Sequence, residues 1–123
     1  MKRVIQILCV IICAFNGTAF AGDGHVKGKI EYIRTHDPAN QSWQPPRFWF
    51  TLKGVTSAGG CQTWWSGTVL FVAETNEMFS TVMANYLANK EISLHYNTAP
   101  DTLGEGGYCR ALYITMGNPP VNN

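Results

Sequence analysis

One helical pattern, set between three strand-like segments and two more, limits what this chain can fold into. Within residues 76–89, Phe79, Val82, Met83, Tyr86 and Leu87 recur at i, i+3, i+4, i+7 and i+8. That spacing lays one apolar stripe along a helix, to be spent on core packing. Thr75 or Asn76 can cap its start, and Glu77 places an acid in the first turn, where the helix dipole favours it. Asn89 suits a left-handed C-cap and Lys90 sits at the negative end.

The flanking segments change period from 3.6 to 2. Residues 26–35 read as a first strand in which Ile30 and Tyr32 alternate with the charged Lys29, Glu31 and nearby Lys27, and Gly28 suggests a bulge or bend there. Residues 36–46 form a loop marked by Asp37-Pro38, Asn40 and Pro45-Pro46. Residues 47–53 are a second strand, with Phe48, Phe50 and Leu52 on one face and Trp49, Thr51 and Lys53 on the other. A long loop, 54–67, holds Gly59-Gly60-Cys61 and Trp64-Trp65. Residues 68–73 are continuously apolar, a strand buried on both faces. After the helix, 91–96 alternates with Ile92, Leu94 and Tyr96 inward and Ser93 and His95 outward. A loop at 97–107 precedes a last strand, 108–116, with Leu112, Ile114 and Met116 on one face and Cys109, Ala111 and Tyr113 on the other. Residues 117–123 are a polar Pro/Gly tail, expected to be mobile.

Strand, strand, strand, helix, strand, strand is the order of a five-stranded OB-fold-like Greek-key barrel: mainly β, with the helix plugging one end. A small α+β open sheet with one packed helix uses the same elements. Barrel closure is preferred because it removes the exposed edges that invite aggregation.

The N-terminus reads as an export signal. Lys2 and Arg3 supply the basic start, residues 4–15 an apolar run, and Ala19-Phe20-Ala21 the small residues of a cleavage site, so cleavage is expected after Ala21. The apolar run is shorter than the roughly 20 residues of a membrane span, so no stable membrane anchor is expected. Cleavage leaves residues 22–123 as a single domain in a secreted or periplasmic protein. It also removes two of the nine basic residues, leaving seven against eight acidic ones. A near-neutral domain without a basic cluster is a poor match for nucleic acid, whose phosphates must be neutralised.

Cys9 and Cys13 leave with the signal, so Cys61 and Cys109 remain for one intramolecular disulfide. Closing the loop of roughly 48 residues between them is worth about 4 kcal/mol in the chain-entropy account. No C-x-x-C occurs, so a redox pair is not expected.

The residues Gly28-Lys29-Ile30, Phe48-Trp49-Phe50, Cys61, the helix at 78–87, the strand at 92–96 and Gly107-Tyr108-Cys109 resemble, in spacing, the B subunits of AB5 toxins. The nearest likeness is to the subtilase-cytotoxin B-subunit-like group of small secreted bacterial proteins. The resemblance implies an OB-fold domain outside the cytoplasm, a carbohydrate ligand on a host surface, and a homo-oligomer, pentameric in the toxins. It transfers no individual sugar-binding residue.

Four tryptophans are the candidate ligand-binding residues. Trp49 faces away from Phe48 and Phe50, so its indole lies under the 54–67 loop, in a subunit contact, or free as a stacking platform. Trp64 and Trp65 sit beside Cys61 and, if extended, point in opposite directions, so at most one is buried. Trp43, next to Pro45-Pro46, can join them or cover the core. His25, His36 and His95 are scattered over three segments, and a metal site needs converging ligands, so none is expected. No G-x-S-x-G or HExxH motif occurs, and Asp101 and Glu105 read as solvated turn residues. The expectation is an exported binding module, without cofactor or catalysis, recognising a glycan or protein surface through exposed aromatics. The rival is an envelope structural or assembly protein whose aromatics form an oligomer interface.

Overall fold

The computed structural model describes residues 23–98 and 107–117. The predicted signal peptide, the loop carrying Asp101 and Glu105, and the tail beyond Gly117 lie outside the described residues. The elements are β1 (Asp23–Arg34), β2 (Phe48–Leu52), β3 (Leu70–Ala73), α1 (Asn76–Leu87), β4 (Glu91–Asn97) and β5 (Cys109–Met116). The strands close into a barrel in the order β1-β2-β3-β5-β4, with β4 returning to β1. Only the β3–β5 pair is parallel. This is the OB-fold-like arrangement with a single helix, and the open-sheet alternative is set aside.

Closure depends on the length of β1. Its first half pairs with β4, from Asp23 opposite Asn97 to Lys29 opposite Glu91. Its second half pairs with β2, from Ile30 opposite Leu52 to Arg34 opposite Trp49. Gly28 sits at this change of partner. The register is regular there, so the expected bulge is absent; a Cβ at 28 would instead lie 3.3 Å from both Leu52 Cβ and the Lys53 carbonyl. Gly28 marks a close approach of backbones.

The interior is filled by Ile30, Phe48, Phe50, Leu52, Val69, Phe71, Ala73, Ile92, Leu94, Tyr96 and Val82. Each fully buried large side chain removes apolar surface worth about 1.5–3 kcal/mol from water. β3 is buried on both faces, as its unbroken apolar run predicts.

Two bulges change which side chains look inward. In β1 the register shifts between Ile30 and Ile33, so Ile33 follows Ile30 onto the core side and Tyr32 turns outward. In β5 the register shifts opposite His95 and Tyr96: Ala111 faces Tyr96, but Tyr113 faces His95. Cys109 and Ala111 point in, and after the shift Ile114 packs on the core while Tyr113 turns out. The even alternation expected at both places is therefore corrected. One extra residue inverts every later side chain of a strand.

The helix lands with its stripe rotated. Thr75 caps it, its hydroxyl accepting the Met78 amide at 3.1 Å, and Asn89 takes the left-handed position (φ 52°). Val82 and Asn85 are buried, Met78 and Phe79 pack on the core, and Phe79 meets Phe48 edge-on with centroids 5.2 Å apart. Tyr86 and Leu87, predicted to lie on the packed face, are exposed. Asn85 can replace them because its side-chain amide donates to the Thr81 carbonyl at 2.8 Å, which satisfies the buried polar group.

Candidate functional site

The outer face of β2 and β3 carries a second apolar layer. Trp49 of β2 and Leu70 and Val72 of β3 project outward and are covered by Trp43, Trp64 and Tyr108. Trp49 is only 4% exposed. Its indole packs at 5.0 Å, tilted, on that of Trp64, so the 54–67 loop covers it. The sequence placed Trp49 on the correct face; its burial makes it a support and leaves no face for a ligand.

The covering loop is held firmly. Cys61 is disulfide-bonded to Cys109 at the start of β5. Backbone bonds from Val69 to Val55, Leu70 to Gln62 and Trp64 to Thr68 stitch the loop to itself and to the strand after it. The chain then reverses over residues 64–67, where the Gly67 amide donates to the Trp64 carbonyl at 2.9 Å and Gly67 takes φ 82°. This turn corrects the expectation that Trp64 and Trp65 point apart. Their rings lie almost parallel, 3° between planes and 6.2 Å between centroids. Trp64 is half-buried and Trp65 is 96% exposed.

Tyr32 and Arg34 complete the surface. The β1 bulge sends Tyr32 outward, where it meets Trp64 edge-on at 5.4 Å and remains 45% exposed. The Arg34 guanidinium lies 4.8 Å from the Trp49 ring and 5.3 Å from the Trp64 ring. Two indole faces around one cation are a cation–π arrangement that fixes the aromatic rings and keeps a donor-rich group beside them. Tyr32 and Arg34 were not among the four tryptophans singled out from sequence. The signal that would have found Tyr32 is the bulge, which a strict alternation hides.

Trp43 stands further along the same layer. It stacks on His36 (5.3 Å, 25°) and lies 6.4 Å from Tyr108. His36 Nδ1 is buried without a hydrogen-bond partner. Burial, and secondarily the Arg34 charge, push the His36 pKa below its ordinary 6.5. Nearby, Glu74 holds two arginines, Arg47 Nη2 at 2.8 Å and Arg110 Nη2 at 2.9 Å, tying the start of β2 to β5.

The fold also gathers two of the three scattered histidines. His25 of β1 lies opposite His95 of β4, which lies opposite Tyr113 of β5. Among the described residues no group of three or more His, Cys, Asp or Glu is placed to hold a metal ion. None of the described helices is long and apolar enough to cross a membrane.

No protein-family model matches the chain, and no curated protein or solved structure matches it.

Proposed function

We propose that this protein is an exported binding module that recognises carbohydrate through Trp65, Trp64, Tyr32 and Arg34. The observation that carries the reading is Trp65: a whole indole left in solvent, parallel to a second indole, on a loop anchored by a disulfide. Leaving so large an apolar face in solvent forgoes the hydrophobic free energy of burying it, and the contact with Trp64 returns only a small part of that. A pyranose ring presents a flat patch of C–H groups that matches an indole face, and its hydroxyls match the Arg34 and Tyr32 donors. Trp49 and Trp43 lie beneath or beside this surface and hold its shape. A pre-formed site loses little conformational entropy on binding, which suits a weak ligand engaged many times.

Export and the single disulfide agree with a ligand outside the cytoplasm. The likeness to toxin B subunits supports the same ligand class and adds a pentameric ring, which would multiply weak sites into useful avidity. A glycan panel screened with untagged wild type and W65A tests the reading. The expected result is saturable binding by wild type, with affinity reduced at least tenfold in W65A, as for an exposed aromatic anchor. Equal binding by the two proteins, or none by wild type, rejects the carbohydrate.

The alternative, an envelope assembly protein, draws on the same indole, which would then be covered by another copy of the chain. Light scattering distinguishes them: an oligomer that W65A dissolves assigns Trp65 to the contact between copies.

A further inference from the structure

The geometry points to a second site, unconnected with the aromatic layer: a divalent transition-metal site formed by His25 Nε2 and His95 Nδ1, with Tyr113 Oη as third donor. Its members come from three adjacent strands on the outside of the β1–β4–β5 wall. His25 and His95 are cross-strand neighbours, and so are His95 and Tyr113. His25 Nε2 and His95 Nδ1 are 3.0 Å apart, and Tyr113 Oη is 3.0 Å from His25 Nε2.

The proton count identifies the ligand atoms. His95 Nε2 lies 3.2 Å from Asp23 Oδ2. An ionised carboxylate only accepts, so Nε2 carries the hydrogen and Nδ1 of the neutral ring is a lone pair. That lone pair faces His25 Nε2. A proton on His25 Nε2 can fill the gap, but the ring centroids are 4.3 Å apart, too close for two imidazoles meeting in a straight line at that separation. A hydrogen bond between them is therefore bent, which weakens it. A cation placed to one side of the N···N line meets both lone pairs. With metal–nitrogen bonds of about 2.0–2.1 Å, nitrogens this far apart subtend roughly 94°. That angle suits square-planar or octahedral ions, so Cu²⁺ and then Ni²⁺ are favoured over tetrahedral Zn²⁺.

The surroundings match a metal site. Asp23 fixes the tautomer and orientation of His95 through its other nitrogen, the usual carboxylate–histidine–metal relay. The Tyr113 ring stacks on His95 (4.5 Å, 13°) and holds it in place, an outcome of the β5 bulge. The His95 side chain is 12% exposed, whereas Asp23 and Tyr113 are open to solvent, leaving a route for the ion. Binding uses the His25 Nε2 lone pair, so in the bound form the hydrogen of that ring sits on Nδ1. A protonated imidazole must first release a proton, so acid competes with the metal. Two residues along β1 from His25, Lys27 is ion-paired with Glu91 at 3.2 Å, so those two charges offset one another.

Untagged protein is titrated with Cu²⁺ alone, with Ni²⁺ and Zn²⁺ in parallel, followed by visible absorption, electron paramagnetic resonance and paramagnetic broadening of amide signals. The expected result is one equivalent of Cu²⁺ with nitrogen hyperfine structure from two imidazoles, and broadening centred on His25, His95 and Tyr113. H95A, which leaves the segment before β1 intact, and H25A each weaken binding at least tenfold. D23N weakens it about tenfold while keeping the stoichiometry. Circular dichroism checks that each variant folds, and H95N replaces H95A if it does not. The proposal is overturned by the absence of saturable binding, by wild-type affinity in H95A or H95N, or by broadening centred on His36.

Discussion

Replacing Trp65 by alanine separates residues that build the barrel from residues the barrel displays. A tryptophan buries about 150–250 Å² when fully enclosed, worth about 4–6 kcal/mol at roughly 25 cal/mol per Å². Trp65 keeps 96% of its surface in solvent. The burial it contributes is therefore only about 0.2 kcal/mol on that scale. Its offset contact with Trp64 adds about 0.5–1.5 kcal/mol at most, as aromatic pairs do. W65A should thus cost no more than about 1.7 kcal/mol, or roughly 7–14 °C in Tm as an upper bound for a domain of this size. Trp49, 4% exposed beneath Trp64 and the Arg34 guanidinium, behaves oppositely. W49A should cost about 3–5 kcal/mol, the usual loss for a buried aromatic. Urea unfolding followed by circular dichroism measures both without relying on the tryptophans as probes. A loss above 2 kcal/mol in W65A, or equal losses in the two variants, would refute the division between support and displayed face.

Two further outcomes follow from the same geometry. His36 has a depressed pKa in the folded state, so the stability it contributes is present above its ordinary 6.5 and is lost as pH falls through the folded value. H36Q should flatten the stability profile across that window, measured as Tm against pH, and an unchanged profile would contradict the assignment. Removing the cross-link in C61S/C109S should lower stability by about 4 kcal/mol, because the 48-residue separation it spans regains its freedom when unfolded. A loss under 1 kcal/mol in urea unfolding would show that the loop is held by its backbone bonds instead.

The strand and helix order, the barrel closure and the disulfide are legible in the sequence because each rests on a period or a count. Ile92, Leu94 and Tyr96 alternate without interruption and point inward as read. Tyr32 and Tyr113 do not, because each follows an extra residue in its strand, and the parity of a strand is inherited from what precedes it. Both functional proposals depend on those two tyrosines, one beside Trp64 and one beside His95. Bulges re-aim side chains and leave little trace in composition. The histidine pair was hidden for a related reason: His25 and His95 are 70 residues apart and become neighbours only through the β1–β4 register. The helix stripe misled through Asn85, a polar residue the core accepts because its amide is satisfied along the helix itself.

The central claim, that the displayed indoles recognise a sugar, is tested most directly on the indole N–H signals of the four tryptophans in a ¹H–¹⁵N spectrum. Titration with a glycan that binds in the panel should move Trp65 first and Trp64 next, and leave the buried Trp49 nearly still. Saturation with Trp65 unmoved would contradict the account.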